Sequence, residues 1–230
     1  MQIEVLSLFP ELIDAFLSES ILGRAVQRGF VTYRAVDIRD FATDKHRSAD
    51  DAPYGGGAGM VLKPEPLGRA LDSVAADRHR TVYPTPSGRP YTQEVARELS
   101  REQELVFICG RYEGVDQRII DYYVDDELSI GDYVVSSGEL AALVIIDSLV
   151  RLIEGVITPD SLAEESFTDG LLEYPQYTRP EVYKGMRVPE VLLNGNHELI
   201  RQWRHEKRVE KTRQNRVDLL RAADKEQRTK

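Results

Sequence analysis

The first 155 residues alternate between short apolar runs and segments in which apolar positions recur every three or four residues. The short runs are typical of buried strands, and they lie at 3–9, 30–37, 81–83 and 105–109. The run at 81–83 leads into a predicted turn at 84–88. The helical spacing occurs after Pro10, where one apolar face is expected to run from Leu12 to Ile21, and again at 64–73, 92–102 (with Thr92 as a candidate cap), 115–122 and 139–154. Because strands alternate with helices, the pattern predicts an α/β fold with a mostly parallel sheet.

Three loops that contain glycine follow apolar segments in the middle of the chain. The segments 105–109, 129–130 and 133–135 end at Gly110, at Gly131 and at the sequence Ser-Ser-Gly, respectively. Ligands of open α/β sheets bind beyond the carboxyl ends of the strands, and glycine lets a ligand approach the main chain closely. We therefore expect one site that is lined mostly by backbone N–H and C=O groups.

The pattern changes after Thr158. Residues 160–175 carry several acidic side chains and few aliphatic ones, which indicates a linker. Helix signals return at 180–185 and at 196–222, where Asn196 is a candidate N-cap. We expect an α/β domain at 1–159, a linker at 160–175 and a small all-helical domain at 176–230.

The net charge of −9 argues at first against a nucleic-acid partner. However, residues 201–230 hold eleven Lys and Arg against five Asp and Glu, whereas the first 200 residues hold nineteen against thirty-four. A local cluster of basic residues, not the total charge, is the electrostatic footprint of nucleic-acid binding. The last helix is therefore either a nucleic-acid contact or an ordinary solvated basic helix.

Other classes of protein lack support in the sequence. No apolar run of about 18 residues predicts a membrane span, and the first residues do not resemble a secretory signal. One cysteine, Cys109, permits no intramolecular disulfide and fits a reducing compartment, so we expect a cytoplasmic protein. The four histidines show no zinc-site spacing, and no serine lies in a G-x-S-x-G motif. We therefore predict no dedicated metal site.

Several of these segments together resemble the bacterial tRNA (guanine-N1-)-methyltransferases. Those enzymes belong to the knotted SPOUT class and methylate guanosine 37 beside the anticodon. The similarity runs in order over nearly the whole chain. Its motifs are SLFPE at 7–11, HRSADDAPYGGGAGM at 46–60, CGRYEG at 109–114, SIGDYVVSSGE at 129–139, SFTDGLLEYPQYTRPEV at 166–182 and VPEVLLNGNHELIRQWR at 188–204.

The resemblance implies a trefoil knot at the C-terminal end of the α/β domain and S-adenosylmethionine as the cofactor. It places the cofactor against Tyr83, Pro84, Thr85, Gly110, Tyr112, Glu113, Ile130, Gly131, Asp132, Tyr133, Val134, Val135, Ser137, Gly138 and Ala141. Two positions depart from the usual loop, because Ser137 replaces a glycine and Ala141 replaces a proline.

The resemblance also assigns catalytic roles. Methylation of guanine N1 requires removal of the N1 proton and stabilisation of the charge that develops on O6. Asp169 matches the position of the family's proposed base, and Arg151 matches that of the O6 partner. Glu113 and Asp132 are the alternative carboxylates. The family's reaction is helped by magnesium.

The implied partners are a tRNA anticodon stem-loop and a second copy of the chain, with the active site at the subunit interface. The residues expected to contact RNA are His46, Arg47, Asp50, Arg201, Arg204, Lys207 and Arg208. The sequence leaves open three alternatives to this function. They are a related knotted enzyme that methylates another RNA base or a ribose, a non-catalytic RNA-binding protein of the same fold, and a nucleotide-binding oxidoreductase.

Overall fold

The computed structural model describes residues 1–220, apart from the side chains of residues 160 and 163. The chain forms two compact units, Met1–Ile157 and a second unit that begins at Thr158. This division does not test the roles predicted for residues 1–159 (α/β domain), 160–175 (linker) and 176–230 (helical domain), which stay predictions. The last residues of the predicted helix at 196–222 lie outside the described part of the chain.

Within residues 1–220 the structure has nine strands and eight complete α-helices, and helical backbone resumes at residues 217–220 after a break at Arg216. The strands are β1 (Gln2–Ser7), β2 (Thr32–Asp37), β3 (Asp50–Asp51), β4 (Val61–Leu62), β5 (Arg80–Pro90), β6 (Glu104–Ile108), β7 (Asp126–Ser129), β8 (Val182–Tyr183) and β9 (Met186–Arg187). The helices are α1 (Pro10–Leu17), α2 (Ser20–Gln27), α3 (Pro64–Ser73), α4 (Gln93–Leu99), α5 (Gln117–Tyr123), α6 (Gly138–Val150), α7 (Pro159–Ala163) and α8 (His197–Asn215).

Five strands of the first unit form one sheet in the order β2-β1-β6-β5-β7. Each neighbouring pair in this sheet is parallel, so the predicted mostly parallel α/β fold is confirmed. A parallel sheet needs cover on both faces. Helices α1, α2, α4 and α6 contribute to one buried cluster, and α3 and α5 contribute to the other.

Local sequence explains where several helices begin. Proline fixes φ and lacks an N–H, which suits the first helical position, and α1 and α3 begin at Pro10 and Pro64. The hydroxyl of Thr92 accepts a hydrogen bond from the N–H of Val95 and caps α4. These predicted helix starts are confirmed.

Three predictions in the first unit were wrong. The apolar face expected to run from Leu12 to Ile21 is split between α1 and α2, and Leu12 and Phe16 are 46% and 44% exposed. The turn expected at 84–88 lies within β5, which continues because a bulge lets Pro84 and Arg89 both pair with Leu128. The segment 133–135 is an exposed loop without a strand.

The second unit differs from the predicted all-helical domain. Helix α7 lies inside the predicted linker, and a β-hairpin of β8 and β9 occupies the position of the helix expected at 180–185. The two turn residues of this hairpin, Lys184 and Gly185, both have positive φ, which is the backbone of a tight type I′ turn. As predicted, Asn196 caps α8, because its side chain accepts hydrogen bonds from the N–H groups of Glu198 and Leu199.

Candidate functional site

A pocket of about 210 Å³ lies at the carboxyl ends of β6 and β7 and against residues 83–86 at the bulge of β5. All the predicted cofactor residues except Asp132 line it. Six further residues that the sequence analysis did not name also line it, namely Pro86, Arg111, Gly114, Leu128, Ser129 and Ser136. They are neighbours of the predicted residues in the same loops, so the glycine pattern located the pocket but did not define its full lining.

Two of the glycine loops touch through their main chains. The N–H of Gly138 donates a hydrogen bond to the carbonyl of Gly110 at 2.9 Å. A Cβ at residue 138 would lie 2.5 Å from the backbone nitrogen of Gly110, closer than side chains approach a backbone. Residue 138 must therefore be glycine for the start of α6 to pack against the end of β6.

The third loop is held by its own hydrogen bonds. The hydroxyl of Ser129 donates to the carbonyl of Gly131 and accepts from its N–H, at 3.1 Å and 3.3 Å. The N–H of Tyr133 also donates to the carbonyl of Gly131, at 2.9 Å. Tyr133 and Val134 remain exposed at the rim of the pocket. The turn is thus built from local bonds, while two large side chains face solvent.

A fully buried carboxylate connects the pocket loops to the first strand. Glu139 accepts hydrogen bonds from the hydroxyl of Ser7 at 2.6 Å and from Nε of Arg111 at 3.0 Å. The guanidinium of Arg111 also lies 4.3 Å from the ring centroid of Phe9. A buried charge requires a partner, so this ion pair fixes the loop after β6 against α6. These residues lie in the motifs at 7–11, 109–114 and 129–139, but no local pattern in the sequence indicates their network.

Two other buried side chains line or adjoin the pocket. Burial raises the pKa of Tyr83, whose ring would lie 3.0 Å from a Cβ at residue 110. Tyr83 is therefore a neutral wall of the pocket. Complete burial raises the pKa of the Cys109 thiol well above its usual value. The thiol stays protonated near neutral pH, which excludes it as a nucleophile in the folded protein.

The glycine-rich segment 54–60 lies beside one of the pocket loops. The N–H of Glu113 donates to the carbonyl of Met60, and the N–H of Leu62 donates to that of Gly114, both at 3.0 Å. These bonds join the end of the segment to the loop after β6. A ligand in the pocket would therefore have the glycine-rich segment nearby.

Upstream of this segment lie the first three residues predicted to contact RNA. Arg47 forms an ion pair with Asp40, and His46 donates its N–H to the carboxylate of Asp44. Asp50 belongs to β3, where it pairs with Leu62. The antiparallel strands β3 and β4 thus connect the 46–50 segment to the pocket loops.

The two predicted catalytic residues lie in different units. Arg151 is the C-cap of α6, and its N–H donates to the carbonyl of Asp147 at 3.3 Å. Asp169 belongs to the second unit, where both of its carboxylate oxygens accept from the guanidinium of Arg208. This ion pair lowers the pKa of Asp169. In this arrangement Asp169 is ionised but its oxygens are occupied by Arg208.

The basic residues predicted on α8 are also paired within the second unit. The guanidinium of Arg204 lies 3.1 Å from Glu164 and 4.6 Å from the ring centroid of Tyr174. Lys207 lies 2.6 Å from Glu210, and Arg201 pairs with Glu198. Arg208 also donates to the carbonyl of Leu172 at 3.3 Å and is only 12% exposed in its side chain. Arg204 and Arg208 thus join α8 to the segment 164–172, whereas the pairs of Arg201 and Lys207 lie within α8.

The part of the chain that the structure describes has neither a metal-binding cluster nor a membrane-spanning helix. Within residues 1–220, no group of three or more His, Cys, Asp or Glu side chains is arranged to hold a metal ion. None of the helices in the same range has the length and apolar character needed to span a membrane.

The fold and the pocket define a parallel α/β protein that would bind a ligand through backbone groups at the carboxyl ends of its strands. The family model described as tRNA (Guanine-1)-methyltransferase TrmD matches residues 1–222, so the chain belongs to that family. Three relatives are named tRNA (guanine-N(1)-)-methyltransferase. The protein of Treponema denticola is 62% identical over 223 residues, 97% of this chain and 92% of the relative. The Treponema pallidum protein is 58% identical over 97% of this chain and 89% of its own length. The Borreliella burgdorferi protein is also 58% identical, over 95% of this chain and 92% of its own length.

Proposed function

We propose that this protein transfers a methyl group from S-adenosylmethionine to N1 of guanosine 37, next to the anticodon of a tRNA. The observation that carries the proposal is the convergence of the three glycine loops on one pocket, in a chain that belongs to a tRNA (guanine-1)-methyltransferase family. The family supports the reaction class. The identity of the methyl donor and of the target nucleotide belongs to the proposal.

The pocket residues fit an adenosine-containing cofactor. Gly110, Gly131 and Gly138 bring main chain without side chains of its own to the pocket wall, where a heterocycle can approach closely and form hydrogen bonds to backbone groups of the loops. When bound, the cofactor supplies an activated methyl group. The protein's part is to align that methyl group with the acceptor nitrogen.

The trefoil knot belongs to the same proposal. Residues 130–137 connect β7 to α6, and the first residue of α6 packs against Gly110 at the end of β6. This contact between the chain after β7 and the loop after β6 supports the proposal of a knotted path. The pocket would then be built from the knot itself.

The target base requires a proton acceptor. We propose Asp169 as this base and Arg151 as the donor to O6 of guanine. The ion pair with Arg208 must open before Asp169 can accept a proton, because Arg208 occupies both carboxylate oxygens. A tRNA phosphate can compete for Arg208. Glu113, which lines the pocket, and Asp132 in the neighbouring loop are the alternative carboxylates.

We propose that the active form is a homodimer in which Asp169 of one subunit serves the cofactor pocket of the other. The exposed apolar side chains of α1 and α6, two helices that pack together, support this proposal. Leu12, Phe16, Leu140 and Val144 are each between 44% and 51% exposed. Large apolar side chains clustered at a surface are typical of an interface.

The tRNA would be held through its phosphates by Arg201, Arg204, Lys207 and Arg208 of α8, with His46, Arg47 and Asp50 near the target loop. Phosphate contacts position an RNA without specifying its sequence, and they weaken with salt. The target base must leave its stack to reach the pocket. Magnesium could assist through the RNA phosphates, without a dedicated protein site.

The proposal is tested by transfer of labelled methyl from S-adenosylmethionine to two tRNA transcripts that differ only in carrying G or A at position 37. We expect label on the G37 transcript alone, mapped to N1 by nucleoside digestion and mass spectrometry. Equal labelling of both transcripts would place the target elsewhere. Labelling of a ribose would favour the related enzymes considered above.

A further inference from the structure

A second groove in the first unit is larger than the cofactor pocket. It has a volume of about 970 Å³ and is lined by residues from 42–54, 61–69 and 115–118. None of its lining residues has a role in the function proposed above. A groove of this size accommodates a ligand as large as a nucleotide, and its side chains indicate which kind of ligand fits.

Tyr54, which lines this groove, is the most exposed large apolar side chain within residues 1–220. Its exposed fraction is 101%, so its ring is not packed against the fold. Gly55, Gly56 and Gly57 follow it with positive φ, and no atom lies within 4 Å of a Cβ added at any of them. The ring and these glycines therefore contribute nothing to the core. An aromatic ring in this position offers a face on which a nucleic-acid base can stack.

Two cations of the groove have no carboxylate partner. The ammonium group of Lys63 is accessible to solvent and makes no hydrogen bond or ion pair within residues 1–220. The charge of Asp44 acts on Lys63 without an ion pair between them. Nε of Arg69 donates to the carbonyl of Phe41 at 2.9 Å, and its two terminal nitrogens have no partner in the same range. Unlike the paired cations of α8, these two groups can bind a phosphate without first leaving a carboxylate.

The four carboxylates of the groove are either engaged or exposed. Asp116 is paired with Arg118, which donates to both of its oxygens at 2.8 Å. Asp44 accepts hydrogen bonds from N–H groups of its own loop, and Asp51 and Glu65 are exposed. Carboxylates accept hydrogen bonds from the amino groups of bases. The groove thus combines donors for a phosphate, a ring for stacking and acceptors for a base edge, which suits a nucleotide better than a simple anion.

Backbone hydrogen bonds join this groove to the cofactor pocket. The N–H of Asp116 donates to the carbonyl of Leu62 at 3.1 Å, and the N–H of Leu62 donates to that of Gly114 at 3.0 Å. Leu62 and Asp116 line the groove, whereas Gly114 lines the pocket. A polynucleotide that places one base in the pocket therefore passes close to the groove.

We propose that the groove binds a second nucleotide of the tRNA, outside the target, with its base stacked on Tyr54 and its phosphate held by Lys63 and Arg69. This inference rests on the proposed function, because it takes tRNA as the substrate. It assigns two separable contributions to affinity. Stacking on Tyr54 is independent of salt, whereas the phosphate contacts weaken as salt rises.

The test measures the affinity of the full chain for the G37 transcript by fluorescence anisotropy at several salt concentrations. Tyr54→Ala should weaken binding by about 5- to 150-fold, the value of one stacked base, without changing the salt dependence. Tyr54→Phe keeps the ring and should bind as the wild type does. Tyr122→Ala is the matched control, because Tyr122 is 75% exposed on α5 and lies outside the groove lining. Its affinity should be unchanged.

Loss of the two cations should change the salt dependence instead. In the double variant Lys63→Met/Arg69→Met, the slope of log affinity against log salt should become shallower by about one to two. Arg101→Met is the control, because Arg101 is exposed after α4 and outside the groove lining. Its slope should match the wild type. Calorimetric titration should show the same affinity for S-adenosylmethionine in all of these variants.

Wild-type binding of the transcript by both Tyr54→Ala and the double variant would overturn the inference. Equal losses in Tyr54→Ala and Tyr54→Phe would also contradict it, because the ring would then not be the contact. A parallel loss of affinity for S-adenosylmethionine would show a disturbed pocket and would contradict it as well. If the wild type neither binds nor methylates the transcript, the proposed function itself fails; if the wild type methylates G37 and the variants bind normally, only the second nucleotide site fails.

Discussion

The pocket of the first unit and helix α8 of the second use their polar groups in contrasting ways. In the pocket, side-chain charges such as Glu139 and Arg111 neutralise each other in the interior, and glycines without side chains form part of the wall. On α8, the charges lie on side chains, but each predicted RNA contact is paired with a carboxylate of the same unit. A backbone-lined site is ready for its ligand, whereas a paired cation must exchange its partner.

Because of this contrast, the two regions should respond differently to substitutions and to changes of salt and pH. A backbone site depends on the close approach of main chains, so steric substitutions damage it most. A paired cationic surface depends on charge, so salt, pH and neutral substitutions change it most. The predictions below follow this distinction, beginning with the largest expected effect.

The largest effect is expected at Asp169, the carboxylate that we propose removes the N1 proton. Asp169→Asn should lower kcat by about 100- to 10,000-fold, because a positioned general base contributes about that much. Binding of S-adenosylmethionine should not change. Single-turnover methyl transfer measures the chemical step directly.

Glu113→Gln is the comparison for that variant. A full loss of rate at saturating S-adenosylmethionine in Glu113→Gln, with Asp169→Asn remaining active, would transfer the role of base to Glu113. It would also mean that the pairing of Asp169 with Arg208 is purely structural.

A steric change should remove the cofactor pocket. Gly138→Ala places a Cβ 2.5 Å from the backbone nitrogen of Gly110, so the two loops must separate. We expect affinity for S-adenosylmethionine to fall by about 100-fold or more, since overpacking of this kind costs about 1–3 kcal/mol before the lost ligand contacts are counted. Calorimetric titration measures the loss.

Gly170→Ala provides a control for that variant, because no atom lies within 4 Å of the Cβ that the alanine would add. Gly170 has a positive φ, so we expect this variant to lose a small amount of stability. Cofactor affinity in Gly170→Ala should match the wild type. Unchanged affinity in Gly138→Ala would show that close loop packing does not form the site.

The second unit should respond to loss of the Asp169–Arg208 ion pair. Arg208→Met should lower the free energy of unfolding of that unit by about 1 kcal/mol, a modest value because Asp169 is half exposed. The folded-state pKa of Asp169 is lowered, so the pair stabilises the protein above the unfolded pKa of about 4. This stabilisation is lost as the pH falls through the folded-state pKa.

Urea unfolding of the wild type and of Arg208→Met at pH 7 and pH 3 measures this effect. The difference in stability should be present at pH 7 and should shrink at pH 3. Arg201→Met, which removes an exposed pair with Glu198, should show no measurable change. A difference that persists undiminished at pH 3 would contradict an electrostatic origin.

The smallest effect concerns the thiol beside the pocket. Cys109 is fully buried and its pKa is raised, so the native protein should react with a thiol reagent only as fast as it opens. Addition of denaturant should release one reactive thiol per chain. Rapid labelling under native conditions would show that the end of β6 opens independently of the rest of the unit.

Local sequence predicted much of the fold because some signals act over a few residues. Pro10, Pro64 and Thr92 marked helix starts, and the apolar runs marked the buried strands. The bulge in β5 could not be predicted, since it depends on how Pro84 and Arg89 pair with a distant strand. A hairpin at 182–187 replaces the helix predicted at 180–185, because Lys184 and Gly185 both have positive φ and form a tight turn between two short strands.

The location of the pocket was also predicted by a local pattern, the glycine that follows each apolar segment. All but one of the cofactor residues that the family resemblance implies line this pocket. The pairing of Ser7 with Glu139 spans 132 positions, and that of Asp169 with Arg208 spans 39. Such side-chain pairs leave no local pattern. They become visible only when the fold brings the partners together.

The central claim is that backbone groups of the glycine loops hold the cofactor. The most direct measurement is the NMR spectrum of protein labelled with ¹⁵N-glycine, recorded with and without S-adenosylmethionine. The account predicts that the amide signals of Gly110, Gly131 and Gly138 shift on binding, whereas those of Gly185 and Gly195 in the second unit do not. Binding without a shift at the three pocket glycines would contradict it.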